Sequence, residues 1–88
     1  NDMVALSASA TLRDAGRDVA EFAVVGFDDT PIGSLISPAL TTVRQPLREM
    51  AEAVVRLTVD GAGVGEPRSS LVFPPTLVVR ASTERRIA

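Results

Sequence analysis

Residues 21–29 read Glu-Phe-Ala-Val-Val-Gly-Phe-Asp-Asp, and this stretch decides the fold. Residues 22–27 are apolar without the polar alternation of a half-exposed strand, which predicts a strand of a parallel sheet covered on both faces. The Thr30-Pro31 step after the run is typical of a turn followed by a helix start. Asp28 and Asp29 are therefore expected at the carboxyl end of a buried strand.

Alternating helices and strands are predicted on both sides of this run. Asn1 or Asp2 can cap a helix over residues 2–15, and Gly16 suits its C-terminal end. The other predicted elements are a short helical or irregular stretch over residues 31–37, a strand over 41–44, a helix over 47–60 that opens at Gln45-Pro46, and strands over 70–73 and 76–80. This order of elements indicates an α/β fold.

The first helix carries two apolar faces at helical spacing. One face consists of Val4, Ala8, Leu12 and Ala15, and the roughly opposite face consists of Met3, Leu6 and Ala10. A helix with two apolar faces needs two partners. One partner is expected to be the helix's own sheet, and the other is another subunit or a part of the chain outside these residues.

The amino-acid composition argues against several classes of function. The 88 residues contain no cysteine and no histidine, which removes disulfides, thiolate metal sites and the commonest general base. Aromatic residues make up 3% and the net charge is −2, so neither base stacking nor a basic DNA-binding surface is expected here. No stretch is apolar enough to span a bilayer. We expect no metal, no cofactor and no membrane partner.

The adjacent carboxylates leave three alternatives open. Ligands of open α/β sheets bind outside the carboxyl ends of the strands, so Asp28 could accept hydrogen bonds from ligand hydroxyl or amine groups. Alternatively, the pair forms only a turn in which Asp29 or Thr30 caps the next helix. The third alternative is catalysis, for which the spacing is wrong: aspartate-based phosphotransferases use Asp-x-Asp-x-Thr. We therefore expect no catalytic residue and no enzyme.

Four blocks in order resemble the C-terminal part of LacI/GalR-type transcriptional regulators. They are Asn-Asp-Met-Val-Ala at residues 1–5, Val-Val-Gly-Phe-Asp-Asp at 24–29, Pro-Ala-Leu-Thr-Thr-Val-Arg-Gln-Pro at 38–46 and Leu-Val-Val-Arg-Ala-Ser-Thr at 77–83. The resemblance covers essentially the whole chain. It implies a cytoplasmic dimeric or higher-oligomeric regulator with a two-lobed, periplasmic-binding-protein-like core that binds a small effector, with a carbohydrate as the expected class. Operator DNA would be bound only through an N-terminal domain outside these residues.

The resemblance also implies a set of effector-binding residues. Asn1 matches a cleft-facing Asn at the helix start, Asp28 matches the first Asp of the Gly-Phe-Asp-Asp motif, and Gln45 matches a crossover Gln between the lobes. An alternative role for Gln45 is an N-cap beside Pro46. Leu47 stands where many relatives place an aromatic residue that packs on the ligand, which puts sugar stacking at that position in doubt.

A dimer interface follows from the resemblance and from the second apolar face together. Leu6, Leu35 and Ile36 match interface positions of the family, while the two-face pattern independently adds Met3 and Ala10. The apolar Leu35-Ile36 pair in a loop context is consistent with a self-association patch. The alternative is that these side chains pack on other parts of the same lobe.

The family fold divides the chain between two lobes. Residues 1–44 and 75–83 would belong to the second lobe, the helix over 46–61 to the first, and residues 84–88 would be a tail. Because such a piece holds neither complete core, we expect that it is not a stable monomer. Two other functions stay open: a periplasmic-type solute-binding module, and a small α/β enzyme that uses Asp28.

Overall fold

The computed structural model describes residues 1–59 and 71–84. The described elements are α1 (Asp2–Asp14), a 3-10 helix (Val19–Glu21), α2 (Pro31–Leu35), β1 (Thr42–Arg44), α3 (Leu47–Val59), β2 (Thr76–Val78) and a 3-10 helix (Ala81–Thr83). The chain divides into two compact units, one formed by Asn1–Arg44 with Thr76–Ala88 and the other by Gln45–Pro75. No helix in the described ranges is both long and apolar enough to cross a membrane.

Helix α1 begins and ends where the sequence predicts. Asn1 is its N-cap, and the Asn1 side chain accepts a hydrogen bond from the N–H of Val4 at 2.9 Å. Arg13 lies in the last turn, where a cation interacts favourably with the helix dipole. The chain leaves the helix through Gly16 at φ 77°, a left-handed conformation that glycine adopts without steric cost.

The face that α1 packs inward is not one of the two predicted apolar faces. Asp2, Ala5 and Ser9 are buried, whereas Val4 is exposed. The expectation that one of the two apolar faces packs on the helix's own sheet is therefore wrong for the described residues. Buried hydrogen bonds of the Asp2 carboxylate hold this side of the helix inward, and they outweigh the apolar pattern that the prediction used.

The predicted strand over residues 21–27 is realised as an extended segment with a single parallel bridge, between Val25 and Thr41. Two N–H groups of this segment donate to its neighbour, Gly26 to the Thr41 carbonyl at 2.8 Å and Asp28 to the Val43 carbonyl at 2.9 Å. The first residue of this range, Glu21, lies instead in the 3-10 helix Val19–Glu21. The parallel pairing expected from the sequence is thus present at this one bridge.

The named strands β1 and β2 pair antiparallel. Their register places Thr42 opposite Val78, Val43 opposite Leu77 and Arg44 opposite Thr76. The predicted strand over 76–80 is shorter, Thr76–Val78, and residues 71–73 form no strand; residue 70 lies outside the described ranges. Pro74 and Pro75 lack the N–H that a ladder needs, which separates the two β-rich stretches.

Only one face of the extended segment is covered. Gly26 is buried and Val24 is half-buried, but Val25 and Phe27 are 52% and 42% exposed. The expectation that this run is covered on both faces is wrong for the described residues, because no described element packs over Val25 and Phe27. The apolar run predicts a partner layer, and that layer is not formed by the part of the chain that the structure describes.

The interior of the first unit is small and partly polar. Leu40 is 1% exposed, and Thr41, Thr42 and Ser82 are buried beside it. The Ser82 hydroxyl accepts the Thr41 N–H at 2.8 Å and donates to the Val24 carbonyl at 2.7 Å, so it joins residues that are far apart in sequence. The last described segment is therefore held against the first by hydrogen bonds as well as by apolar packing.

In the second unit, α3 follows Pro46 as predicted, and its predicted end at residues 60–61 lies outside the described ranges. None of its residues is buried. Its exposed apolar side chains are Leu47, Val54, Val55, Leu57 and Val59. The described residues therefore leave these apolar side chains of α3 uncovered.

Candidate functional site

The Asp28-Asp29 turn has an unusual backbone. Asp28 adopts φ 105° and Asp29 φ 52°, so two successive non-glycine residues lie at positive φ. Such conformations are uncommon and persist where the surroundings determine them, although Asp tolerates them better than most residues. The turn is held by the Asp28 N–H on the Val43 carbonyl and by the Asp29 N–H on the Thr42 hydroxyl at 3.2 Å.

Asp2 flanks this turn on both sides. Its N–H donates to the carbonyl of Phe27 at 3.0 Å, immediately before the turn. Its carboxylate Oδ2 accepts the Thr30 N–H at 2.6 Å and the Thr30 hydroxyl at 2.7 Å, immediately after it. Oδ1 accepts the Thr42 hydroxyl at 2.7 Å. The backbone and the fully buried side chain of Asp2 together therefore tie α1 to both ends of the turn and to β1.

The Asp2 carboxylate is ionised at neutral pH. Burial raises its pKa, but hydrogen bonds from Thr42, Thr30 and the backbone favour the charged form and lower the pKa below the ordinary value for Asp. Three donors directed at one carboxylate replace the water that burial removes. Hydrogen bonds from these residues thus stabilise the charge.

Asp29 makes two ion pairs. Its Oδ2 accepts from Arg44 Nε at 2.7 Å and its Oδ1 accepts from Arg80 Nη2 at 2.9 Å. Hydrogen bonds from Arg44 and then Arg80 hold the pKa of Asp29 below its usual range. The sequence alternative in which Asp29 caps α2 is wrong, since Thr30 is the N-cap residue and makes no side-chain capping bond.

Gly26 allows α1 to approach the extended segment closely. A Cβ at this position would overlap Oδ1 of Asp2 and would lie 2.8 Å from Cδ2 of Leu40. The missing side chain of Gly26 is therefore a condition for placing the buried carboxylate of Asp2 beside the turn.

The structure brings two of the three predicted effector residues together. The backbone hydrogen bond between Asp2 and Phe27 joins the chain neighbours of Asn1 and Asp28, because Asn1 precedes Asp2 and Asp28 follows Phe27. Asn1 and Asp28 are exposed, while Gln45 is half-buried and is the first residue of the second unit.

The residues predicted to form a dimer interface all lie in the first unit. Leu35 and Met3 are 82% and 59% exposed, and Ala10 is also exposed. Leu6 and Ile36 are half-buried. These positions therefore offer apolar surface on α1 and at the end of α2.

A cavity of about 400 Å³ lies beside the C-terminal end of α1, away from the turn. Its lining includes Arg13, Arg17, Asp18, Ser37, Ser82 and Glu84. None of the predicted effector residues lines it. Within residues 1–59 and 71–84, no group of three or more acidic, histidine or cysteine side chains could hold a metal ion.

Comparison with known proteins places this geometry in a family. The model of the periplasmic binding protein-like domain matches residues 1–83. The chain belongs to the periplasmic binding protein-like domain family. A solved structure, the Lac repressor bound to ONPG in the repressed state, superposes with a TM-score of 0.81 at 31% identity. The match covers 94% of this chain and 26% of that chain.

Within this family, the chain resembles LacI/GalR-type regulators. It is 46% identical to the HTH-type transcriptional regulator MalR of Streptomyces coelicolor, over 94% of this chain and 25% of the relative. It is 40% identical to the HTH-type transcriptional regulator GalS of Salmonella typhimurium, over 98% of this chain and 26% of the relative. The chain thus spans about a quarter of the length of these proteins and is a LacI-type regulator fragment with a partial α/β fold. These relatives are named as transcriptional regulators and not as enzymes.

The sequence patterns do not identify the residues that hold the turn. They indicate Asp2 only as an alternative helix cap, and they indicate no role for Thr42 or Arg80. One signal was available: Asp2 is a carboxylate on the side of a helix that carries otherwise small residues, Ala5 and Ser9. A polar residue on a packed helix face indicates a buried hydrogen-bond network.

Proposed function

We propose that this chain is the effector-sensing and dimerisation part of a LacI-type transcriptional regulator. The effector is a small molecule, with a sugar as the expected class, and its binding modulates affinity for operator DNA. The observation that carries the proposal is the Asp28 turn: an exposed carboxylate at a strand end, held at φ 105° by a buried network, in a chain of this family. Backbone strain of this kind is concentrated at functional sites.

Asn1, Asp28 and Gln45 are the proposed effector contacts. The carboxylate of Asp28 can accept hydrogen bonds from sugar hydroxyls, and charge-assisted hydrogen bonds are stronger than neutral ones. Asn1 lies at the same end of the first unit as Asp28. Gln45 is proposed from its match to the family motif alone.

Dimerisation is proposed through Met3, Leu6, Ala10, Leu35 and Ile36. The exposure of Leu35 and Met3 supports this, because it leaves both apolar side chains accessible to a partner subunit. Operator DNA would be bound by a separate N-terminal helix-turn-helix domain, in the cytoplasm, without catalysis. Residues 1–44 and 75–83 would form part of one lobe, residues 46–61 part of the other and 84–88 a tail; the two compact units of the chain support this division.

A solute-binding module is the second candidate function, favoured by the description of the matched family model. The names of the relatives favour the regulator instead. They give no support to an enzyme that uses Asp28.

Calorimetric titration of the complete protein with a panel of neutral mono- and disaccharides that includes ONPG tests the proposal. We expect one or more sugars to bind, and Asp28→Asn to weaken that binding by about tenfold or more, a loss of at least about 1.4 kcal/mol. The matched control is Asp14→Asn, at the exposed C-terminal end of α1. Undiminished binding by Asp28→Asn would overturn the assignment of Asp28, and binding of no sugar would overturn the effector class. A change in the affinity for operator DNA on sugar addition separates a regulator from a solute-binding module.

A further inference from the structure

The Asp29 carboxylate bonds to one side chain of β1 and to one side chain just after β2. Arg44 is the last residue of β1, and Arg80 lies two residues after β2. Each donates to a different oxygen of Asp29, at 2.7 and 2.9 Å, and the Asp29 N–H donates to the Thr42 hydroxyl on β1. Arg80 is held in turn, since its Nη1 donates to the Leu40 carbonyl at 3.0 Å.

The same two strands carry the chain out of the first unit and back into it. Arg44 is the last residue of that unit before the chain continues into the second, and Thr76 is the first residue on its return. Arg44 and Thr76 are direct partners in the antiparallel register. The ladder of β1 and β2 therefore ends at the Arg44–Thr76 pair, and both connections to the second unit begin at these two residues.

Asp29 is also the neighbour of the proposed effector residue. Asp28 and Asp29 share the turn at positive φ, so a change in the position of one backbone changes the other. The side chains of Asp29 and Arg80 are only 15% and 19% exposed, so their ion pair is less screened by solvent than a surface pair. The Arg44 side chain is 56% exposed, so its pair with Asp29 is more strongly screened.

We propose that Asp29, with Arg44 and Arg80, is a positioning clamp that holds Asp28 in its effector-binding conformation and joins it to the two strands that connect the units. This inference rests on the proposed role of Asp28 in effector binding. Because coupling between sites is reciprocal, effector binding at Asp28 stabilises the clamp as much as the clamp strengthens binding. Asp29 itself does not touch the effector.

Asp29→Asn tests the clamp in the complete protein, because Asn keeps the side-chain size and tolerates positive φ but loses the charge. Arg44→Met removes one ion-pair partner of Asp29, and the double variant completes a double-mutant cycle. For a sugar that the parent protein binds, Asp29→Asn should raise the dissociation constant by about tenfold. Arg44→Met should raise it less. The double variant should bind like Asp29→Asn alone, since residues that act through one another are not additive. Arg48→Met, at an exposed i,i+4 pair with Glu52, should bind like the parent.

The outcomes separate this inference from the proposed function. If Asp28→Asn loses binding while Asp29→Asn and Arg44→Met bind like the parent, the clamp is refuted and the effector site stands. Additive losses would show that Arg44 affects binding independently of Asp29, which also refutes the clamp. Amide hydrogen exchange is a readout without ligand: Asp29→Asn should speed exchange of the Asp28 N–H relative to amides of α1. Unchanged protection of that N–H would overturn the inference even if the parent binds no sugar in the panel.

Discussion

Asp2 and Thr30 are joined by two hydrogen bonds to one oxygen, because Oδ2 of Asp2 accepts both the N–H and the hydroxyl of Thr30. The residues lie 28 positions apart, and the turn that carries Asp28 ends at Thr30. A buried polar group contributes stability only when its hydrogen bonds are made, and here all three donors meet the carboxylate. The orientation of the candidate effector residue therefore depends on a side chain at the start of α1.

Replacing Asp2 should destabilise the protein strongly. Asp2→Ala leaves the N–H and hydroxyl of Thr30 and the hydroxyl of Thr42 without their acceptor, and an unsatisfied buried group costs about 1–3 kcal/mol. We expect a loss of about 3 kcal/mol or more in the free energy of unfolding, measured by urea denaturation. Asp14→Ala, in the exposed last turn of the same helix, should cost less than about 0.5 kcal/mol. Equal effects of the two variants would contradict a structural role for the buried carboxylate.

Two glycines near Asp2 provide a matched test of close packing. The added Cβ of Gly26→Ala would overlap Asp2 and crowd Leu40, so both side chains would have to move away from residue 26. This change should lower the free energy of unfolding by about 2–3 kcal/mol. Gly33→Ala places its Cβ 3.4 Å from Leu40 Cβ and 3.5 Å from Asp2 Oδ2, ordinary contact distances. Since alanine also favours helix, Gly33→Ala should be neutral or stabilising by up to about 1 kcal/mol. Thermal unfolding that ranks the two variants in the opposite order would refute the packing of Asp2 on Gly26.

Acid should destabilise the protein through Asp2 and Asp29. Both have a pKa below the ordinary value, so their contribution to stability is present above the pKa of the unfolded chain and is lost as the pH falls through the folded pKa. The unfolded pKa of Asp is about 3.9, so the loss should begin below about pH 5 and continue below pH 4. Asp29→Asn should be less stable than the parent at pH 7, and the difference should shrink on acidification. A difference that stays constant from pH 7 to pH 3 would contradict the lowered pKa.

Apolar surface at the end of α2 should control self-association. Leu35→Glu introduces a charge on a side chain that is 82% exposed, so it should leave the fold intact while raising the dimer dissociation constant by about tenfold or more. Size-exclusion chromatography with light scattering measures this, with Ala15→Glu, exposed at the far end of α1, as the control. Dimers of Leu35→Glu as tight as those of the parent would exclude Leu35 from the interface.

A well-folded monomer of the isolated 88-residue chain would contradict the expectation that it cannot be stable alone.

The sequence predicts those elements whose signals are local. The N-cap at Asn1, the left-handed exit at Gly16 and the helix start at Pro31 are confirmed because each depends on the chemistry of one or two residues. The helix after Pro46 is confirmed for the same reason. The Asp28-Asp29 turn is also recognisable from the sequence, since Asp-Asp-Thr-Pro after an apolar run is a strong turn signal.

The long-range contacts could not be predicted from local patterns. Asp2 determines which side of α1 faces the interior, because its carboxylate accepts hydrogen bonds from residues 28 and 40 positions away. For Asp29 the sequence offers only a local cap as a structural role, because sequence spacing does not show that Arg80, 51 positions away, reaches its carboxylate. The apolar run at 22–27 correctly predicts an extended segment but not the exposure of Val25, because coverage depends on which neighbours the chain supplies.

A structure of the complete protein with a bound sugar tests the central claim, that the turn held by Asp2 presents Asp28 to the effector. The quantity to measure is the distance between an Asp28 carboxylate oxygen and the nearest sugar hydroxyl. We predict a hydrogen bond of about 2.5–3.0 Å, with Asp28 still at positive φ and Thr30 still bonded to Asp2. A sugar bound with its hydroxyls contacting other residues and Asp28 turned to solvent would contradict the account.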